Sequence, residues 1–181
     1  MNLQIEMGER YMNDLRYPIG QFQFPEVVTA QQVQKWIDDI RLLPRQLAEA
    51  INGASEQSLA KSYRENGWTV TQLVHHLADS HMNSYIRFKL ALTEDTPTIK
   101  PYNEVDWAML ADSDMPVATS YKLLESLHER WVYLLTSLTD EQLQRAFQHP
   151  DNGLMTLEKA LAMYAWHGKH HLAHIHHALA K

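Results

Sequence analysis

The sequence of 181 residues contains no cysteine. Disulfide bonds, thiolate metal ligands and cysteine nucleophiles are therefore excluded, and any transition-metal site must use histidine together with aspartate or glutamate. Basic residues are also scarce, since 16 lysines and arginines stand against 22 aspartates and glutamates and the net charge is −6. This balance, without any basic block, argues against nucleic acid or an anionic membrane as the main partner.

Long hydrophobic runs are absent as well. No stretch approaches the roughly 18 consecutive apolar residues that a membrane-spanning helix needs, and the N-terminus has acidic residues early and no apolar segment typical of a signal peptide. We therefore expect a cytoplasmic protein without a membrane partner. Hydrophobic residues nevertheless make up 45% of the chain, with five Trp and eight Tyr, which is enough for a single folded domain over residues 1–181.

Four long segments carry apolar residues at helical spacing, and none shows the alternation typical of a half-buried strand. They cover about residues 30–51, 69–92 and 120–138, and from residue 156 nearly to the end. The pattern predicts an all-α protein, a four-helix bundle over about residues 29–180. Bundle cores are places where side chains from facing helices hold metals.

The remaining segments are predicted to be mostly irregular. Residues 1–28 lack helical periodicity, and "LRYPIGQFQFPEVV" indicates an extended arm packed over the bundle. The connection after the second helix is long and includes a possible short helix at "NEVDWAML", while "FQHPDNGLMT" is typical of a loop. Pro44 lies inside the first helix and should kink or split it.

Six of the eleven histidines fall within the last sixteen residues, "WHGKHHLAHIHHALAK". With about 100° of rotation per residue, His167 and His171 lie one turn apart at the margin of the core face of the last helix. Two imidazoles at this spacing can reach one ion. His170 and His174 form a second such pair, which is predicted to face more toward solvent.

The second long helix repeats this pattern. His76 lies at the margin of its apolar side, while His81 lies on that side and stays an alternative. Two histidines from the last helix and one from this helix would form a three-histidine site, which suits zinc or nickel and leaves positions for water. The cation would lower the pKa of bound water toward about 7. Asp79 could act as a base or orient a ligand imidazole, or an acid from the connection at residues 93–112 could assist instead.

The other histidines are predicted to be bystanders. A first group is predicted to be hydrogen-bonded or solvated at the bundle surface. A second group is predicted to consist of structural or surface residues without a recognisable partner. The first group comprises His75, His170, His176 and His177, and the second comprises His128 and His149.

Most of the chain resembles a known family. The resemblance lies in "GWTVTQLVHHLADSHMNSYIRFKLALTEDTP", "LRYPIGQF", "LHERWVYLLTSLTDEQLQRAFQHPD" and "LEKALAMYAWHGKHHLAHI". These segments are similar to the YfiT family of metal-dependent hydrolases within the DinB-like superfamily.

The resemblance implies a four-helix bundle with up-down-down-up connectivity and a homodimer with one divalent metal per subunit, usually zinc and sometimes nickel. It also implies that the ligands are His76, His167 and His171, which decides between His76 and His81. The function expected is therefore a hydrolase that activates water on a small-molecule substrate.

Two alternatives stay open at this stage. Superfamily members also include thiol-dependent transferases, so the same metal could activate a thiol such as bacillithiol in place of water. The histidine-rich end could instead belong to a non-catalytic metal-binding protein, which would bind more than one metal per chain.

Overall fold

The computed structural model describes residues 15–181, and four long helices dominate it. In chain order the elements are α1 (Ala30–Ile51), α2 (Glu56–Leu59), α3 (Val70–Thr93), α4 (Glu104–Trp107), a 3-10 helix (Ala111–Asp114), α5 (Val117–Thr136), α6 (Asp140–Leu143), β1 (Ala146–His149), β2 (Gly153–Thr156) and α7 (Leu157–Leu179). In the described range no helix combines the length and the apolarity needed to cross a bilayer.

Capping residues fix where the first two long helices begin. Thr29 and Gln32 form a complete capping box before α1, and Thr69 and Gln72 form another before α3. Helix α1 continues through Pro44 as one element, so the proline does not split it.

The apolar core consists of two clusters that show the direction of each helix. One cluster lies where α1 and α7 begin and α3 and α5 end, and it includes Ile37, Phe88, Trp131 and Leu161. The other lies at the opposite ends of the same helices, and it includes Leu47, Leu73, Leu124 and Ile175.

Helices α1 and α7 therefore run one way and α3 and α5 the other. Helix α1 packs against α5 and α7, and α3 packs against the same two helices. The predicted up-down-down-up bundle is confirmed. Since α3 and α5 are parallel, the connection between them must return along the bundle, which explains its length.

A short antiparallel hairpin precedes α7. Its strands pair Ala146 with Thr156 and His149 with Gly153, and Gly153 has a φ of 71°. The prediction of a loop here was wrong, because strands of four residues are too short to show a reliable period of two. Backbone hydrogen bonds from Gln148 to Pro97 and from Ile99 to Gln148 fasten the α3–α5 connection to this hairpin.

Residues 15–29 form neither helix nor strand and lie over the bundle as an arm. The ring of Phe22 lies 6.0 Å from that of Trp166 on α7, and the ring of Phe24 lies 6.3 Å from that of Trp36 on α1. The predicted arm is confirmed for these residues, while its portion at 1–14 falls outside the described residues.

Candidate metal centre

Three imidazoles from two facing helices converge in the bundle. His76 comes from α3, and His167 and His171 come from successive turns of α7. One ring nitrogen of each lies within 4.8 Å of those of the other two. We call this group the inner cluster. The three residues selected from the sequence are thus brought together.

The spacing of the inner cluster fits a metal ion. The Nε2 atoms of His76 and His167 are 3.2 Å apart. In a tetrahedral zinc site with Zn–N bonds of about 2.0–2.1 Å, two ligand nitrogens lie about 3.3 Å apart. The third imidazole, that of His171, has a ring nitrogen within 4.8 Å of both, so the three provide the donor set of a site with an open position.

Burial keeps these rings in the neutral form that binds metals. It lowers the pKa of His76 to about 4. For His167 and His171, burial first and the neighbouring imidazoles second hold the pKa well below its usual range. At neutral pH each ring therefore has a nitrogen lone pair to offer.

Two further histidines lie behind the inner cluster. His81 Nε2 lies 3.2 Å from His167 Nδ1, and His81 Nδ1 lies 2.9 Å from His128 Nε2. His128 Nδ1 lies 2.7 Å from the carbonyl oxygen of Ile40. No partner for His128 could be predicted from the sequence, and the structure supplies two, because only the packing of α5 against α1 and α3 brings these atoms together.

A second group of three histidines shares His171. His170, His171 and His174 also present nitrogens within 4.8 Å of one another, and we call them the outer cluster. The prediction that His170 and His174 face solvent was wrong, since they are 7% and 2% exposed. The arm and the chain before α3 cover this face: Tyr17 lies against His170, and Tyr63 stacks on His174 with ring centroids 3.9 Å apart.

Two more bystanders can be placed. His75 is buried and satisfied, because its Nε2 donates to the carbonyl oxygen of Met115 at 3.0 Å and its Nδ1 lies 2.7 Å from Ser120 Oγ. His176 is exposed, as predicted.

A cleft of about 460 Å³ opens onto the outer cluster and reaches His171. Its other lining residues include Tyr63, Arg64, Trp68 and Glu104. The indole of Trp68 also lies 4.7 Å from the imidazole of His76. The cleft thus joins solvent to the inner cluster, and its volume is within the range of small-molecule sites.

Two carboxylates near the cluster have perturbed acidity. Burial raises the pKa of Glu104, which lines the cleft. The pKa of Asp79 is also raised, mainly by burial and secondly by the charge of Asp112. The interaction of Asp79 with His75 offsets part of this increase. A raised pKa suits a carboxylate for proton transfer near neutral pH. The role predicted for Asp79 stays a prediction.

Comparison with known proteins identifies the family. A family model for the DinB superfamily matches residues 29–175, which include all three histidines of the inner cluster. The chain belongs to the DinB superfamily.

Two bacterial relatives match along nearly the whole length of this chain. A protein of Halalkalibacterium halodurans, named as a proposed metal-dependent hydrolase, is 54% identical over 168 residues, which are 93% of this chain and 98% of the relative. A protein of Bacillus cereus with the same kind of name is 57% identical over 164 residues, covering 91% of this chain and 95% of the relative.

A solved structure also matches. YfiT from Bacillus subtilis, described as a probable metal-dependent hydrolase with an unusual four-helix bundle topology, is 50% identical with a TM-score of 0.86. The match covers 90% of this chain and 94% of YfiT. The resemblance to the YfiT family inferred from sequence is therefore confirmed.

Proposed function

We propose that this member of the DinB superfamily is a metal-dependent hydrolase in which His76, His167 and His171 hold one divalent cation per subunit. The observation that carries the proposal is the convergence of three neutral imidazoles, one of which, His171, lines a cleft. The names of the relatives support the same reaction class.

Zinc is the cation that we propose, with nickel as the alternative. Three imidazole nitrogens suit both ions, and neither needs the thiolate ligands that this chain lacks. When bound, the cation would act as a Lewis acid and lower the pKa of water toward about 7.

The chain's own residues supply binding and proton transfer. The cleft would hold a small molecule beside His171, with the indole of Trp68 packed against the ligand His76. Of the two perturbed carboxylates, Glu104 lines the cleft, whereas the charges acting on Asp79 come from Asp112 and His75. Glu104 is thus the first base to test, and Asp79 the second.

The class of partner, the oligomeric state and the cellular location are proposed from the sequence and the family resemblance. The net charge of −6 supports a partner that is neither nucleic acid nor an anionic membrane. The homodimer and the cytoplasmic location are carried over from the family resemblance and the sequence composition.

Substitution of one ligand tests the metal site. His171→Ala should lose bound metal in elemental analysis after dialysis, whereas the matched variant His176→Ala, which removes an exposed histidine from the same helix, should retain it. Full retention of the metal by His171→Ala would overturn the proposed ligand set.

Activity assays on the metal-replete protein test the reaction class. Turnover of an ester or amide panel in buffer alone, lost in His171→Ala, supports hydrolysis. Turnover of an electrophile that strictly requires bacillithiol or another added thiol would replace hydrolysis by thiol S-transfer.

The outer cluster favours one further candidate, a non-catalytic metal-binding protein. His170 Nδ1 is buried there without a hydrogen-bond partner in the described part of the chain. Bound metal well above one ion per chain, with His170 and His174 required for the excess, would support this candidate. One ion per chain would argue against it.

A further inference from the structure

We propose that a relay of hydrogen bonds, running from the Ile40 carbonyl through His128 and His81, fixes the tautomer of His167 and turns its Nε2 toward the metal position. The inference rests on the proposed metal site and assigns positioning roles to two histidines outside it.

The relay begins at a carbonyl that a proline leaves available. In an α-helix the carbonyl of residue 40 would accept from the N–H of residue 44, but Pro44 has no N–H. The Ile40 oxygen instead accepts a hydrogen bond from His128 Nδ1 at 2.7 Å. The buried proline of α1 thus leaves a strong acceptor facing α5.

A carbonyl oxygen can only accept a hydrogen bond, and this fixes which atom donates and which accepts at every later step of the relay. His128 must donate through Nδ1, so in the neutral ring its Nε2 is an acceptor. His81 must then donate through Nδ1, so its Nε2 accepts from His167 Nδ1. His167 is left with a bare Nε2, the atom that lies 3.2 Å from His76 Nε2.

A parallel relay acts on the second ligand of α7. The carbonyl of Leu15 in the arm accepts from His174 Nε2 at 3.0 Å, which leaves His174 Nδ1 as an acceptor. His171 Nδ1 lies 3.4 Å from that atom and donates to it. His171 Nε2 is then the nitrogen with the free lone pair. Both α7 ligands therefore have Nδ1 protonated and Nε2 available.

This arrangement resembles a general feature of metal sites. A ligating histidine almost always donates its other ring N–H to an acceptor, which fixes its orientation and makes it a stronger ligand. Here the acceptor for His167 is another imidazole, and the ultimate acceptor is a main-chain oxygen two rings away.

The test uses three variants of the full chain. His81→Phe removes both ring nitrogens at a fully buried position, whereas His81→Gln keeps one acceptor and one donor. His75→Phe is the matched control, because His75 is a buried, doubly hydrogen-bonded histidine of the same helix outside the relay. Zinc affinity is measured by competition with a chelator.

We expect His81→Phe to bind zinc about 10- to 100-fold more weakly, the usual cost of losing such a partner. His81→Gln should recover most of this loss, and His75→Phe should match the wild type. Equal affinities for His81→Phe and the wild type would overturn the relay while leaving the metal site intact. A wild type without zinc affinity would instead refute the site itself.

A second measurement needs no variant. Nitrogen-15 NMR of the imidazoles in metal-free wild-type protein reports which nitrogen of each ring is protonated. We expect Nδ1–H and bare Nε2 for His167. An Nε2–H tautomer at His167 would overturn the relay whatever the affinities are.

Discussion

The inner and outer clusters share His171 and have the same number of imidazoles, yet they differ in what lies behind them. The inner cluster is backed by His81 and His128 and, through them, by a carbonyl. The outer cluster lies under the arm, where Tyr63 stacks on His174 and the ring of Tyr17 lies 6.1 Å from that of His170. One of its nitrogens, His170 Nδ1, has no hydrogen-bond partner in the described part of the chain.

This difference separates a metal site from a dense patch of histidines. A ligand needs its lone pair aimed at the ion and its other nitrogen held by an acceptor. His167 meets both conditions, whereas His174 uses one nitrogen on Leu15 and the other on His171. We therefore expect the ion in the inner cluster, and the predictions below test that comparison from the largest expected effect to the smallest.

Removing one unshared histidine from each cluster should give opposite results. His167→Ala deletes an inner ligand and should abolish stoichiometric zinc binding, while His170→Ala deletes an outer histidine and should leave about one ion per chain. Elemental analysis and isothermal titration calorimetry measure both. Loss of zinc in His170→Ala with retention in His167→Ala would reverse the assignment.

Acid should destabilise the metal-free protein through the relay behind the inner cluster. Burial lowers the pKa of His128 to about 4 from the ordinary histidine value of 6.5, and the hydrogen bond to the Ile40 carbonyl offsets part of this shift. Between these values the unfolded chain binds the proton and the folded chain does not. The free energy of unfolding therefore falls as the pH drops from about 6.5 to about 4, by on the order of 3 kcal/mol for this group.

Urea unfolding of the metal-free protein across this pH range measures the effect. His128→Gln, which cannot take up a proton, should lose less stability over the same interval. A loss as steep as that of the wild type would show that His128 is not the source.

The smallest effect is expected from His174, which belongs to the outer cluster but orients an inner ligand. His174→Ala removes the acceptor for His171 Nδ1 and the donor to Leu15. Zinc affinity should fall by about tenfold or less, since water from the cleft can replace the acceptor. Chelator competition measures this, with His176→Ala as the control, and a loss as large as that of His167→Ala would move His174 into the ligand set.

Much of this architecture could be predicted because it depends on local rules. Each capping box, at Thr29 and at Thr69, depends only on residues three positions apart in the sequence, and both boxes form. The spacing of His167 and His171 places them on one strip of any helix. The hairpin before α7 escaped prediction because its pairing is formed between strands of only four residues.

The histidines whose surroundings were not predicted correctly share a different cause. His128 lies on α5 without a partner in its own helix, and its two bonds come from α1 and α3. His170 and His174 lie on the polar side of α7, and they are buried by the arm and by Tyr63. A helical wheel describes one helix and carries no information about what packs over it.

The sequence by itself determined the four helices and the strips on which His76, His167 and His171 lie, because helical periodicity and capping depend on residues within a few positions of one another. Only the tertiary structure decided that Pro44 leaves a carbonyl for His128, that His81 links this carbonyl to His167, and that the arm closes over His174. Those contacts join atoms of residues that lie from 47 to 159 positions apart in the chain. They exist only after the bundle has brought its helices and its arm together.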